Sequence, residues 1–126
     1  MITFAAVMVG GAIGAVGRYV LDVAITGRLR TDWPIGTMAV NVLGSLVLGL
    51  LVGAGVSAWP EPVQLGLATG FLGALTTFST WMYETFRLME EKAWRHVAWN
   101  VAGSIGLGLV AATAGLWIGR ALAGGV

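Results

Sequence analysis

Residues 70–81 read Gly-Phe-Leu-Gly-Ala-Leu-Thr-Thr-Phe-Ser-Thr-Trp, and this stretch decides how the chain must fold. It lies inside a long apolar segment, yet it contains two glycines, four hydroxyl side chains and three aromatic rings. A helix that only had to remain in lipid would carry Leu, Val and Ile at this depth. Hydroxyls and glycines here predict a break in the helix, and broken membrane helices usually border the path of an ion or substrate.

The composition of the whole chain indicates a bilayer protein. Of its 126 residues, 57% are hydrophobic and only 10% are charged, whereas soluble domains carry about 25% charged residues. The formal net charge of +1 provides no field for nucleic acid, so no nucleic-acid partner is expected. There is no cysteine, which excludes thiol and disulfide chemistry.

Four segments are long and apolar enough to cross the hydrocarbon core, which takes about 20 residues. They cover about residues 2–25, 35–58, 63–86 and 97–119, joined by short connections, and together predict one four-helix transmembrane domain over 1–126. Loops this short leave no room for a catalytic domain, and no nucleophile–base pair is visible, so an enzyme is not expected. Four helices are few for enclosing a polar path across the membrane, so we expect an oligomer.

Glycine pairs at four-residue spacing recur along the chain. Such pairs let helix backbones approach closely, so they predict a compact bundle. The pairs are Gly10 and Gly14, Gly49 and Gly53, Gly66 and Gly70, and Gly115 and Gly119.

Polar side chains form a stripe on the second segment at Thr37, Asn41 and Ser45, each four residues from the next. Asn41 either joins two helices by a hydrogen bond or faces a polar path and donates its NH2 group to a passing anion. The fourth segment repeats the pattern with Asn100 and Ser104. Two stripes of donors without a carboxylate favour an anion over a cation.

Charged residues near the segment ends have structural explanations. Arg18 and Asp22 are four apart and can pair on one helix face. Alternatively, Arg18 extends to the lipid headgroups or supplies positive potential at a pore mouth. Glu84 and Arg87 read as interfacial charges. His96 has no second ligand at metal spacing, so it predicts no metal site.

Phe78 stands among hydroxyl side chains at positions 76, 77, 79 and 80. The edge of an aromatic ring carries positive partial charge. A ring edge can therefore meet a small anion without a formal cation, which would hold the anion too tightly for release.

The sequence resembles the Fluc/CrcB family of fluoride channels over essentially its whole length. Three segments carry the resemblance: Gly-Gly-Ala-Ile-Gly-Ala-Val-Gly-Arg-Tyr at 10–19, Pro-Ile-Gly-Thr-Met-Ala-Val-Asn-Val-Leu-Gly at 34–44, and Gly-Phe-Leu-Gly-Ala-Leu-Thr-Thr-Phe-Ser-Thr at 70–80. The resemblance implies an all-α membrane protein of four transmembrane helices with the third broken. It also implies an antiparallel, dual-topology dimer with two pores for passive fluoride export.

The same resemblance implies roles for individual residues. Gly73 and Thr76 would hold a structural Na+ on the dimer axis through their backbone carbonyls. Arg18 matches the arginine that the family carries in the first of the three segments. Residues that match the family's fluoride pathway, or that are plausible beside it, are Asn41, Phe78, Ser104, Thr77 and Ser79. The implied location is the inner (plasma) membrane of a prokaryote, with lipid and fluoride as partners.

The chain departs from the family pattern in two ways. Trp81 stands where a second phenylalanine is usual; its indole has a positive edge and adds an N–H donor, or else it belongs to the interfacial belt. The basic loop residues are also unevenly distributed, and this favours one orientation and leaves a homodimer and a heterodimer with a paralogue both open. On one side lie Arg28, Arg30, Arg87, Lys92 and Arg95, and on the other Arg120 alone.

Two other functions fit four short membrane helices. A small proton-coupled multidrug exporter needs a membrane-embedded carboxylate, and the acid within the first segment, Asp22, lies at its end beside Arg18. A membrane scaffold without transport would leave the hydroxyl cluster and Asn41 without a purpose.

Overall fold

A computed structural model describes residues 1–29 and 33–124, and within these ranges the chain is helical without any strand. The prediction of an all-α protein is confirmed. The elements are α1 (Ile2–Leu29), α2 (Ile35–Gly53), a 3₁₀ turn (Val56–Ala58), α3 (Glu61–Leu65), a π-helical segment (Gly66–Leu72), α4 (Gly73–Leu75), α5 (Phe78–Glu90) and α6 (Trp94–Leu122).

The second helix is shorter than the sequence predicted. Helix α2 was expected to reach residue 58, but it ends at Gly53 because Gly55 takes the left-handed conformation with φ 73°. Glycine adopts that conformation without a steric penalty, and it turns the chain into the 3₁₀ segment. The last helix begins earlier than predicted, at Trp94 instead of residue 97.

The third predicted segment, 63–86, is not one regular helix. It begins with α3, widens into the π-helical segment and ends its first part with α4 at Leu75. Thr76 (φ −82°, ψ 158°) and Thr77 (φ −148°, ψ 125°) are extended, and α5 starts at Phe78. The chain therefore leaves the helical path within the hydroxyl cluster of residues 70–81.

Within the part of the chain that the structure describes, three helices are long and apolar enough to cross a membrane: Ile2–Arg28, Ile35–Gly53 and Trp94–Leu122. In an apolar 18-residue stretch of each of these helices, only 6%, 28% and 6% of the stretch, respectively, is buried inside the chain. Large apolar side chains such as Phe4, Val16 and Leu109 are more than 60% exposed. Exposing apolar surface of this extent to water is unfavourable, whereas lipid accommodates it, so the chain is a multi-pass membrane protein.

The α2–α6 interface is built on four of the predicted glycines. A Cβ atom added to any of them would overlap a backbone carbonyl of the facing helix, so larger residues would force the helices apart. The facing pairs are Gly49 with Ala112, Gly53 with Leu116, Gly115 with Leu46, and Gly119 with Leu50.

A second glycine interface joins α1 to the π-helical segment. A Cβ atom on Gly10 would overlap the Gly66 carbonyl, and one on Gly14 would overlap the Phe71 carbonyl. Gly70 closely approaches the α1 backbone in return. The predicted close packing of the glycine pairs is confirmed, and these two interfaces fix the positions of α2 and of the chain that leads to the break.

The α2–α6 interface gives a matched pair of substitutions on one helix. We expect Gly115→Ala to destabilise the protein by about 1–3 kcal/mol, because the added methyl meets rigid backbone. Gly106→Ala adds the same methyl where no atom lies within 4 Å, so it should be neutral or slightly stabilising. Size-exclusion chromatography after graded heating in detergent compares the two midpoints. Equal midpoints would contradict the packing described here.

Candidate functional site

The centre of the site is a double hydrogen bond between α2 and the break. The Asn41 amide Nδ2 donates to the Thr77 carbonyl at 2.9 Å, and the Thr77 N–H donates to Asn41 Oδ1 at 2.8 Å. One side chain thus satisfies both backbone polar groups of a buried, non-helical residue. Without that pairing, extended backbone at membrane depth would carry a large penalty.

This pairing removes a donor from the preceding turn. In a continuous helix the Thr77 N–H would donate to the Gly73 carbonyl, but here it donates to Asn41. The Thr80 N–H would likewise donate to the Thr76 carbonyl, but it donates to the Thr77 hydroxyl, which caps α5, at 3.3 Å. The carbonyls of Gly73 and Thr76 therefore lose their helical donors.

A cavity of about 400 Å³ opens beside the break. Phe78 is 71% exposed, and its ring lies 5.7 Å from that of Trp81 between centroids, tilted by 59°. The cavity brings together six of the predicted fluoride-path and Na+ residues, and none of its lining side chains is charged. Those six are Asn41, Gly73, Thr76, Thr77, Phe78 and Trp81.

The Trp81 indole N–H is already engaged. It donates to the Asn100 backbone carbonyl of α6 at 3.2 Å. The Asn100 Nδ2 in turn donates to the Thr85 hydroxyl at 2.9 Å, and that hydroxyl donates to the Trp81 carbonyl at 2.7 Å. The sequence analysis considered this N–H as an added donor to the fluoride path and assigned no role to Thr85. The feature that could have indicated Thr85 is its position, four residues after Trp81, where a hydroxyl can donate to the Trp81 carbonyl of its own helix.

Two of the predicted pathway residues lie apart from the cavity lining. Ser79 is exposed, and its hydroxyl lies 3.4 Å from that of Thr77. Ser104 lies one turn after Asn100 on α6, and its buried hydroxyl has no hydrogen-bond partner in the described part of the chain. The structure therefore gathers Asn41, Thr77 and the two aromatic rings, with Ser79 beside them and Ser104 on a neighbouring helix.

Arg18 lines a second, smaller cavity of about 160 Å³ together with Tyr19, Thr37 and Thr80. Thr77 lines both this cavity and the larger one, so the break residue stands between them. Within residues 1–29 and 33–124, Arg18 forms no ion pair with Asp22. Of the alternatives for Arg18 raised by the sequence, pairing with Asp22 along the helix is therefore not the one adopted.

Glu84 is tied into the same bundle more closely than an interfacial charge would be. The hydroxyl of Thr37, itself 2% exposed, donates to Glu84 Oε1 at 2.7 Å. Asp22 and Glu84 share a cavity of about 210 Å³ with Arg87. The described residues contain no group of three acidic, histidine or cysteine side chains that could hold a metal ion.

The double hydrogen bond gives a stability prediction. Asn41→Leu leaves the Thr77 N–H and carbonyl without a partner, and each such buried group costs about 1–3 kcal/mol. Ser45→Ala, one turn along α2, removes only a bond to the Asn41 carbonyl of its own helix. We expect a much lower thermal midpoint for Asn41→Leu than for Ser45→Ala in detergent. The role assigned to Asn41 fails if the two variants unfold together.

Comparison with known proteins adds an independent line. Residues 5–116 match the family model described as CrcB-like protein, Camphor Resistance (CrcB). A protein of Streptomyces avermitilis named fluoride-specific ion channel FluC 1 is 47% identical, over 92% of this chain and 94% of its own. A FluC 1 of Nocardia farcinica is 41% identical over 93% and 83%, and a FluC of Geobacter sulfurreducens is 40% identical over 97% and 100%.

Proposed function

Since this chain belongs to the CrcB family, we propose that it is a passive channel selective for fluoride. The resemblance carried by the three sequence segments is confirmed by relatives that are 40–47% identical over most of the chain. These relatives are named ion channels, so the expectation that the chain is not an enzyme is also confirmed. The same names favour a channel over the proton-coupled exporter and the scaffold.

The observation that carries the proposal is a neutral cavity at a helix break. We propose that fluoride passes the break where α5 begins, because the first backbone N–H groups of a helix have no partner within it and attract anions. The Asn41 amide has a second N–H beyond the one given to Thr77. The edge of the Phe78 ring adds positive partial charge.

Absence of a full charge at the cavity suits rapid passage. A small anion loses much of its hydration on entering the cavity, so contacts with the protein must replace the lost water. A cationic side chain in direct contact, however, would slow the release of the anion. Partial charges from N–H groups and ring edges supply an intermediate strength. In the proposal the hydroxyl groups of Thr77, Ser79 and Ser104 extend this path, and Arg18 provides positive potential at its mouth.

We propose that two copies assemble in antiparallel fashion, with residues 61–90 acting as one interrupted span. Gly73 and Phe78 are exposed on the single chain, which suits coverage by a partner. A homodimer is the simpler assembly. The uneven distribution of basic loop residues favours instead a heterodimer with a paralogous chain of fixed orientation; of those residues, Arg30 lies outside the described ranges.

A structural Na+ fits the backbone beside the break. The carbonyls of Gly73 and Thr76 have lost their helical donors to Asn41 and Thr77, and carbonyl oxygens suit a hard cation. A Cβ on Gly73 would meet no atom within 4 Å, so the surface there is open. A two-fold axis at this surface would present each carbonyl twice. The bound cation would hold the two copies together by its charge.

The biological purpose follows from acid–base chemistry. Hydrogen fluoride crosses lipid as a neutral molecule and dissociates in a less acidic cytoplasm, which traps fluoride inside. A fluoride channel in the plasma (inner) membrane of a prokaryotic cell lets the anion leave down its gradient. An inside-negative potential drives it outward, and no energy coupling is required.

Fluoride efflux from liposomes tests this function. The purified chain is reconstituted into vesicles loaded with potassium fluoride, and a K+ ionophore lets K+ leave with fluoride so that no opposing voltage builds up. A fluoride electrode outside the vesicles follows fluoride efflux. We expect rapid fluoride efflux without a proton gradient, and a chloride electrode should detect no chloride efflux from matched chloride-loaded vesicles. Efflux that requires a paralogous chain would identify the heterodimer, and fluoride movement that requires a proton gradient would contradict a passive channel.

Phe78→Ile isolates the contribution of the ring. We expect fluoride efflux to fall by about tenfold or more, because the branched side chain fills similar space without a positive edge. Phe4→Ile is the matched control, since Phe4 is 72% exposed on α1 and Phe78 is 71% exposed on α5. Equal efflux from the two variants would remove the ring from the mechanism.

A further inference from the structure

Trp81 belongs to a closed circuit of hydrogen bonds between α5 and α6. From the Trp81 carbonyl the circuit runs through the Thr85 hydroxyl to the Asn100 side chain, and it returns from the Asn100 carbonyl to the indole N–H. Among the described residues, two of these contacts join the two helices, and Asn100 takes part in both. Asn100 therefore holds α5 twice, by its side chain and by its backbone.

The circuit fixes the direction of each donor. The Thr85 hydroxyl has a single hydrogen, which goes to the Trp81 carbonyl at 2.7 Å. Its oxygen must then accept, so the Asn100 amide presents Nδ2 to it and cannot be turned around without loss of that bond. Asn100 is fully buried and Thr85 is 4% exposed, so water offers no replacement for a broken bond.

We propose that Asn100 and Thr85 are positioning residues that make Trp81 behave as an apolar aromatic ring at the cavity. They set the position of α5 against α6 at which the indole N–H reaches the Asn100 carbonyl. The N–H is thereby withheld from the cavity that Trp81 lines with Phe78. This inference rests on the proposed function, since it treats that cavity as the fluoride path.

The chemical reason lies in the strength of an N–H contact to fluoride. Hydrogen bonds to an ionised partner are about twice as strong as neutral ones. An indole N–H pointing into the cavity would add a donor to those of Asn41 and the start of α5, and this extra donor would hold the anion more tightly and slow its release, whereas a ring edge binds more weakly. The same bond also argues against an interfacial anchor, because the N–H meets α6 backbone and not lipid headgroups.

The indole N–H can be observed directly by NMR on 15N-labelled protein in detergent. The Trp81 signal is the one lost in Trp81→Phe, and the exposed Trp99 and Trp117 supply reference signals in the same spectrum. We expect slow exchange with deuterium at Trp81 in the unaltered chain. Thr85→Val and Asn100→Leu should each accelerate the exchange of the Trp81 indole N–H by about tenfold or more, as expected when a buried hydrogen bond that holds the indole in place is lost. Unchanged exchange in both variants would overturn the proposal.

Rescue separates positioning from general stability. Asn100→Leu should slow fluoride efflux, because it frees the indole N–H toward the cavity. The double variant Trp81→Phe with Asn100→Leu has no indole N–H, so its efflux should return to that of Trp81→Phe alone. A double variant as slow as Asn100→Leu would overturn the proposal. If the unaltered chain conducts no fluoride, the proposed function fails, and the exchange measurement alone then decides whether Asn100 and Thr85 position Trp81.

Discussion

The double hydrogen bond between Asn41 and Thr77 is the constraint on which the rest of the site depends. It allows extended backbone to exist inside a membrane protein, because one amide side chain replaces both helical bonds that Thr77 has given up. The two alternatives raised by the sequence for Asn41, a bond between elements and a donor to an anion, are compatible. One N–H of the amide joins α2 to the break, and the other remains for the proposed path.

Breaking the helix at this point has consequences on both sides. Toward the N-terminus it releases the carbonyls of Gly73 and Thr76, and toward the C-terminus it creates the start of α5 with Thr77 as its cap. Acceptors for a cation and donors for an anion thus arise within a few residues of each other. No charged side chain is needed for either, which agrees with the uncharged lining of the larger cavity.

The sequence predicted the parts of this arrangement that depend on composition and spacing. Glycine pairs four residues apart predicted both close helix interfaces, since a missing Cβ is visible in sequence, and the hydroxyl cluster predicted where the third segment is irregular. The sequence could not predict the direction of individual hydrogen bonds. The indole N–H of Trp81 and the carboxylate of Glu84 find partners on other helices, at Asn100 and Thr37, and such pairs depend on three-dimensional register. Helix ends were also displaced, as at Gly55, because backbone conformation decided them.

Amide exchange at Thr77 tests the central claim most directly. Residue-resolved hydrogen–deuterium exchange on the purified chain measures whether the Thr77 N–H is bonded, and Asn41→Leu removes the acceptor that the structure assigns to it. The account predicts slow exchange at Thr77 in the unaltered chain and fast exchange in the variant. Protection that persists in Asn41→Leu would mean that Thr77 donates to Gly73 in a continuous helix, and it would contradict the account.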